Sequence, residues 1–134
     1  MAFQYSVAVR NAFDDQVSTT IGASPKLLLY TGSVPATCAT AASGTLLATL
    51  TLPSTWIGAA SAGVKSLAGT WTGTGSAAGT VGYFRIMDST NTTCHIQGSV
   101  TATGGGGDMT IDNTSIANGQ TINVNTFTLT AGGA

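Results

Sequence analysis

After Pro25 the chain breaks into six or seven short runs of threonine, branched aliphatic and aromatic residues, each closed by glycine, proline or an Asp/Asn turn. That punctuation constrains the fold more than any other feature. Residues that fit a pleated, half-buried surface, cut at short intervals by turn formers, specify an all-β body. Lys26 to Tyr30 is an apolar run ended by Thr31-Gly32, and Thr45 to Leu52 alternates until Pro53 closes it. Val64 to Trp71, Thr80 to Met87, Thr93 to Ala102, Met109 to Ile111 and Thr121 to Thr130 complete the set. Asp88-Ser89-Thr90-Asn91, between Ile86-Met87 and Cys94-His95-Ile96, marks the clearest hairpin. Ser33 to Gly44 and Thr72 to Gly79 read as loops, and Pro53 to Ala62 as a turn into a short helical or irregular piece. Gly104 to Gly107 reads as a loop tip or as a point where backbone closely approaches another chain. The expected fold is a two-layer β-sandwich of a single 134-residue domain, in the manner of a jelly roll, with one short N-terminal helix.

That helix is the exception to the strand pattern. Val9, Phe13 and Val17 recur every fourth residue and Ile21 extends the stripe, while Arg10, Asp14 and Asp15 fall off it. Ser6 is the natural N-cap, Gly22 the C-terminal stop, and Pro25 prevents continuation. Residues 1–24 thus form a helix or arm ahead of a β body over 25–134. The stripe either docks on the chain's own sheet or is an arm that docks on a neighbouring subunit.

Charge is scarce: four Lys or Arg, five Asp, no Glu and one His in the whole chain. A catalytic site needs titratable groups converging on one pocket, and few exist here to converge. His95 follows Cys94 in a strand, where adjacent residues point to opposite faces, so a Cys–His nucleophile pair is disfavoured. Asp14 and Asp15 read as a solvated helix face, and Asp108, Asp112 and Asn113 as turn residues lacking the spacing of a calcium loop. The expectation is no enzyme, no metal and no cofactor. A net charge of −1 offers no basic footprint for nucleic acid. No run approaches the roughly 20 apolar residues of a membrane span. The start Met1-Ala2-Phe3-Gln4-Tyr5 lacks the pattern of a secretory signal, so synthesis in the cytosol is expected. Cys38 and Cys94 are then expected as free, partly buried thiols. Low charge favours association between copies. Candidate interface residues are Val9, Phe13, Val17, Trp56 and Trp71; for the two tryptophans the alternatives are core anchors or a sugar-stacking platform.

The segments Met1-Ala2-Phe3-Gln4-Tyr5-Ser6, Arg10-Asn11-Ala12 and Thr20-Ile21-Gly22-Ala23-Ser24-Pro25-Lys26-Leu27 stand together with Tyr30-Thr31-Gly32 and Pro35-Ala36-Thr37-Cys38-Ala39. Leu67-Ala68-Gly69-Thr70-Trp71, Gly82-Tyr83-Phe84-Arg85-Ile86, Thr93-Cys94-His95-Ile96-Gln97-Gly98 and Gly107-Asp108-Met109-Thr110-Ile111-Asp112-Asn113 continue the pattern, which ends in Phe127-Thr128-Leu129-Thr130-Ala131-Gly132. Over nearly its whole length the chain resembles small virion proteins of tailed bacteriophages, of the capsid decoration or cement type. The resemblance implies a β-rich homo-oligomer, a trimer first, that clamps the major capsid protein on the outer surface of the head and is made in the bacterial cytoplasm. It brings no catalytic residues. A tail, fibre or receptor-binding module would share the composition and would use Trp56 or Trp71 for carbohydrate.

Overall fold

The structure is a computed structural model that describes residues 3–132; Met1 and Ala2 of the expected arm lie outside them. The helix runs where its caps predict. α1 spans Val7–Ile21, the Ser6 hydroxyl accepts the Val9 N–H, and Gly22 closes the helix at φ +85° with its N–H on the Ser18 carbonyl. Nine strands follow: β1 (Lys26–Thr31), β2 (Leu46–Thr51), β3 (Val64–Ser66), β4 (Thr72–Thr74), β5 (Gly79–Met87), β6 (Cys94–Ala102), β7 (Met109–Ile111), β8 (Ser115–Ile116) and β9 (Thr121–Thr130).

They form one sheet in the order β2-β1-β5-β6-β7-β9-β3, with β4 also on β9 and β8 on β5. The sheet curls until β2 meets the β4 segment, through an Ala48–Gly75 bridge and a Ser76 N–H on the Leu47 carbonyl at 2.8 Å. A curled sheet packed on itself is the sandwich-like, all-β fold that the alternation specifies, with its single helix at the N-terminus. The interior is continuous. Phe84 of β5 meets Phe127 of β9 edge-to-face at 5.6 Å, Phe127 meets Trp71, and Trp71 meets Trp56 at 6.0 Å, amid Leu27, Leu29, Leu47, Leu50, Ile86 and Ile122.

Two glycine segments depart from a simple loop reading. Thr72 to Gly79 contains β4, because a Cβ on Gly73 would lie 2.6 Å from Leu50 Cγ and one on Gly75 would lie 2.6 Å from the Ala117 carbonyl oxygen. The missing side chains let this strand press against β2 and the β8 segment. Thr103 to Asp108 joins β6 to β7, which run parallel, a connection that ordinarily takes a dozen residues or more. Gly104 and Gly106 take φ of +86° and +81°, and the Gly107 N–H bonds Thr101 Oγ1, so the chain doubles back along its own strand. The close approach is to β6 itself. Between Pro53 and Gly63 the chain is irregular rather than helical, and the expected run from Val64 keeps strand form only to Ser66.

The β5–β6 hairpin turns as expected, and Asp88 fixes it. Its Oδ1 accepts the N–H groups of Thr92 at 2.8 Å and Thr93 at 3.3 Å, its Oδ2 accepts the Thr92 hydroxyl, and Asn91 takes φ +60°. These donors, the Thr92 amide first, hold the carboxyl down from 3.8 to about 2. A depressed carboxylate stabilises the fold at all pH above its unfolded value near 3.9, and that contribution disappears as pH falls through about 2. Asp88→Asn should therefore lose the part of the acid-unfolding response that lies between about pH 4 and pH 2. Thermal midpoints measured across that window check this; an unchanged pH profile in the variant would show that the turn does not depend on the charge.

Candidate interaction surface

The helix docks on the body in two unlike halves. An i, i+4 stripe turns about 40° beyond a full circle at each step, so Val9 and Ile21 lie about 120° apart around the axis. Val17 and Ile21 consequently reach the core while Val9 and Phe13 face solvent. Under the N-terminal half the inward positions are polar instead. Arg10 donates to the Ala62 carbonyl at 3.1 Å, and Asn11 Oδ1 accepts the Gly63 N–H at 2.8 Å. Lys65 of β3, buried, donates to Asp15 Oδ1 at 2.9 Å and to Ser18 Oγ at 3.0 Å. Asp14, expected on a solvated face, is only 4% exposed. Burial, opposed by the nearby Lys65 charge, raises its carboxyl above the usual range. Three of the chain's nine charged side chains, Arg10, Asp15 and Lys65, thus fasten this half of the helix to the body, and Asp14 lies buried beside them.

The outward side is apolar. Phe3 is 70% exposed, Phe13 is 45% exposed, and Tyr5, Val7 and Val9 are exposed beside them. Tyr5 stands edge-on to both Phe3 and Phe13 at ring-centre distances of 5.2 and 5.1 Å, so the three rings form one projecting cluster. A groove of about 340 Å³ continues from Phe13 along Gln16, Val17, Thr20 and Ile21 to His95, the sole imidazole of the chain. Five of the seven large exposed hydrophobic residues among those described belong to residues 3–13. Exposed apolar surface of this kind is what interaction sites and ligand grooves present in proteins generally.

Trp56 and Trp71 do not belong to this surface. They are 2% and 1% exposed, and their indole N–H groups are used internally: Trp56 on the Gly22 carbonyl at 2.9 Å, Trp71 on the Trp56 and Ala68 carbonyls at 3.0 and 3.1 Å. Burial with satisfied donors makes them core anchors and corrects their placement as interface candidates. Of the five candidates, Val9 and Phe13 are on the surface and Val17 straddles core and groove.

A second opening lies between β6 and β9. Because β7 starts only opposite Val100, no strand separates Ile96 and Gln97 of β6 from Thr128 and Leu129 of β9. The cleft, about 450 Å³, has Phe84 and Phe127 at its base and Gly107 and Asp108 at its head. Ser99 directs its N–H at Asp108 on this side, and Phe127 directs its carbonyl at Leu67 on the far side. Alternation along a strand therefore turns the backbone groups of Gln97 and Thr128 into the cleft.

A third feature escaped the sequence. The 33–44 loop lies over the sheet face opposite the core and is pinned by side chains of β5 and β6. Arg85, buried in mid-strand, donates from Nη2 to the carbonyls of Thr40 at 2.6 Å and Thr37 at 3.4 Å. Gln97 Nε2 donates to the Pro35 carbonyl, and the Tyr83 hydroxyl exchanges bonds with the backbone of Ser43. Tyr30 stacks on Tyr83 at 5.0 Å. This loop brings Cys38 against Cys94, both free and half-buried, with sulfurs 2.7 Å apart.

Asp108 and Asp112, expected as turn residues, tie their segments to neighbouring strands. Asp108 Oδ2 accepts the Ser99 N–H, and Asp112 Oδ1 accepts the N–H groups of Asn113 and Asn123. Among the described residues no three His, Cys, Asp or Glu side chains stand close enough to hold a metal ion. Among the described residues no helix is long and apolar enough to cross a membrane. The chain matches no family model, no curated protein and no solved structure.

Proposed function

We propose that this chain is a non-enzymatic structural protein of a bacteriophage particle, a decoration or cement protein that binds the outside of the major capsid protein shell and stabilises the head. The observation that carries the reading is the outward apolar face of residues 3–13, on a helix whose Arg10 and Asp14 are turned towards the body. Helix geometry turns the first two turns of the stripe outward, and there the sequence places Val7, Val9 and Phe13 rather than polar residues. The virion assignment itself rests on the whole-length resemblance to small phage virion proteins. A shell protein gains from repetition, since many modest contacts around a symmetric lattice multiply into strong attachment. The open β6–β9 cleft, with backbone groups on both sides, is suited to receive an extended segment from a neighbouring subunit.

The rival reading, a tail or receptor-binding module, relied on Trp56 or Trp71 as a sugar platform, and both rings are buried. Copy number separates the two, hundreds per particle for decoration against a handful for a tail. Heads assembled without this chain should package DNA yet release it at lower temperature or under osmotic shock. Equal resistance with and without the chain would reject the cement role.

A further inference from the structure

We propose that Cys38 and Cys94 form an intramolecular disulfide site, closed by exchange with a low-molecular-weight disulfide such as oxidised glutathione, which locks the 33–44 loop onto β5 and β6. The two sulfurs already touch at 2.7 Å, so forming a bond of about 2.05 Å takes a shift of well under 1 Å. The approach is held by more than the thiols. Arg85 grips the carbonyls of Thr37 and Thr40 on either side of Cys38, Gln97 holds Pro35, and Tyr83 holds Ser43. Cys94 opens β6 next to the Asp88 turn, so both sulfurs ride on fixed backbone. Both residues are half-buried rather than sealed, which leaves the pair open to a small oxidant.

The chemistry is a two-step exchange. One Cys thiolate attacks a sulfur of oxidised glutathione, forming a mixed disulfide and expelling one glutathione thiolate. The second Cys sulfur then attacks the protein sulfur of that mixed disulfide, forming the Cys38–Cys94 bond and expelling the second glutathione. Two protein thiols lose two electrons and two protons, and one glutathione disulfide becomes two glutathione thiols. Burial first, and then the hydrogen bond to neighbouring Cys38, push the Cys94 thiol up to about 12. The bond would tie positions 56 apart, a long closure of the kind that restricts an unfolded chain most. A reducing cytosol keeps the thiols open, and an oxidising exterior closes the strap. The inference stands apart from the virion reading.

The test treats the reduced, purified protein with oxidised glutathione, blocks residual thiols with an alkylating agent, and combines intact mass, peptide mapping and thermal unfolding. Expected are the loss of two hydrogens with no glutathione adduct, a 38–94 cross-linked peptide, and an unfolding midpoint higher by on the order of 10 °C that reverts on reduction. Cys38→Ser and Cys94→Ser should each take up at most one glutathione and show no such rise. Two thiols still open to alkylation, a lasting glutathione adduct on the wild-type chain, a cross-link between two chains, or a 38–94 bond without a raised midpoint would each overturn the proposal. The comparison of oxidised with reduced wild type decides it even where a serine variant is too unstable to purify.

Discussion

Trp71→Ala should destabilise the protein by about 3–5 kcal/mol, a loss comparable with much of the stability of a domain this size. The indole joins everything the curled sheet must hold together. It is 1% exposed and lies between Trp56 at 6.0 Å and Phe127 at 5.6 Å, and Phe127 carries the contact on to Phe84 of β5. Its N–H satisfies the Trp56 and Ala68 carbonyls in the irregular segment leading to β4, and these would be left without that donor in the variant. Trp71→Phe keeps most of the ring and removes the donor, so it should cost less, about 1–3 kcal/mol. Denaturant midpoints for the three proteins, at unchanged slope, measure this order. A loss below about 1 kcal/mol for Trp71→Ala would mean that the two sides of the sheet are not joined through this residue.

What could be read in advance follows from how local each signal is. β1, β2, β5, β6, β7 and β9 are legible because each run of strand-forming residues, apolar or alternating, is closed by its own turn formers. The helix ends appear because Ser6, Gly22 and Pro25 act within one turn of the residues they cap. β4 and β8 do not appear, since a Thr-Gly-Thr strand and a Ser-Ile pair show no pattern, and their strand form depends on Leu50, Ile116 and Ala117 lying close by in space. Arg85 in mid-strand resembles an outward-facing solvated charge, and only the return of the 33–44 loop over that face turns it into a clamp. The Cys38–Cys94 contact depends on the same loop, so 56 positions of separation concealed it. Asp14 was misplaced for a geometric reason: a face defined by fourth-residue spacing drifts around the helix, and by its first two turns the side turned inward is the polar one.

That drift also decides how the helix is best tested. Removing it whole would take Val17 and Ile21 from the core and leave the buried Lys65 without Asp15, so an unfolded product would not distinguish attachment from folding. A single outward substitution does. Phe13→Asp places a charge in the middle of the Phe3, Tyr5 and Val9 face, at a residue 45% exposed in the isolated chain. It should change the stability of the free protein by no more than about 1 kcal/mol. Against a shell it would have to bury an unpaired carboxylate where an aromatic ring had been, and affinity should fall about tenfold or more at each site. Repetition over a lattice amplifies that loss, so decorated heads should shed the variant in competition with wild type. Sedimentation of variant and wild-type protein with undecorated heads, beside their unfolding midpoints, reads both effects. Equal binding by a folded Phe13→Asp variant would remove the N-terminal face from the proposed attachment and leave the β6–β9 cleft as the remaining candidate surface.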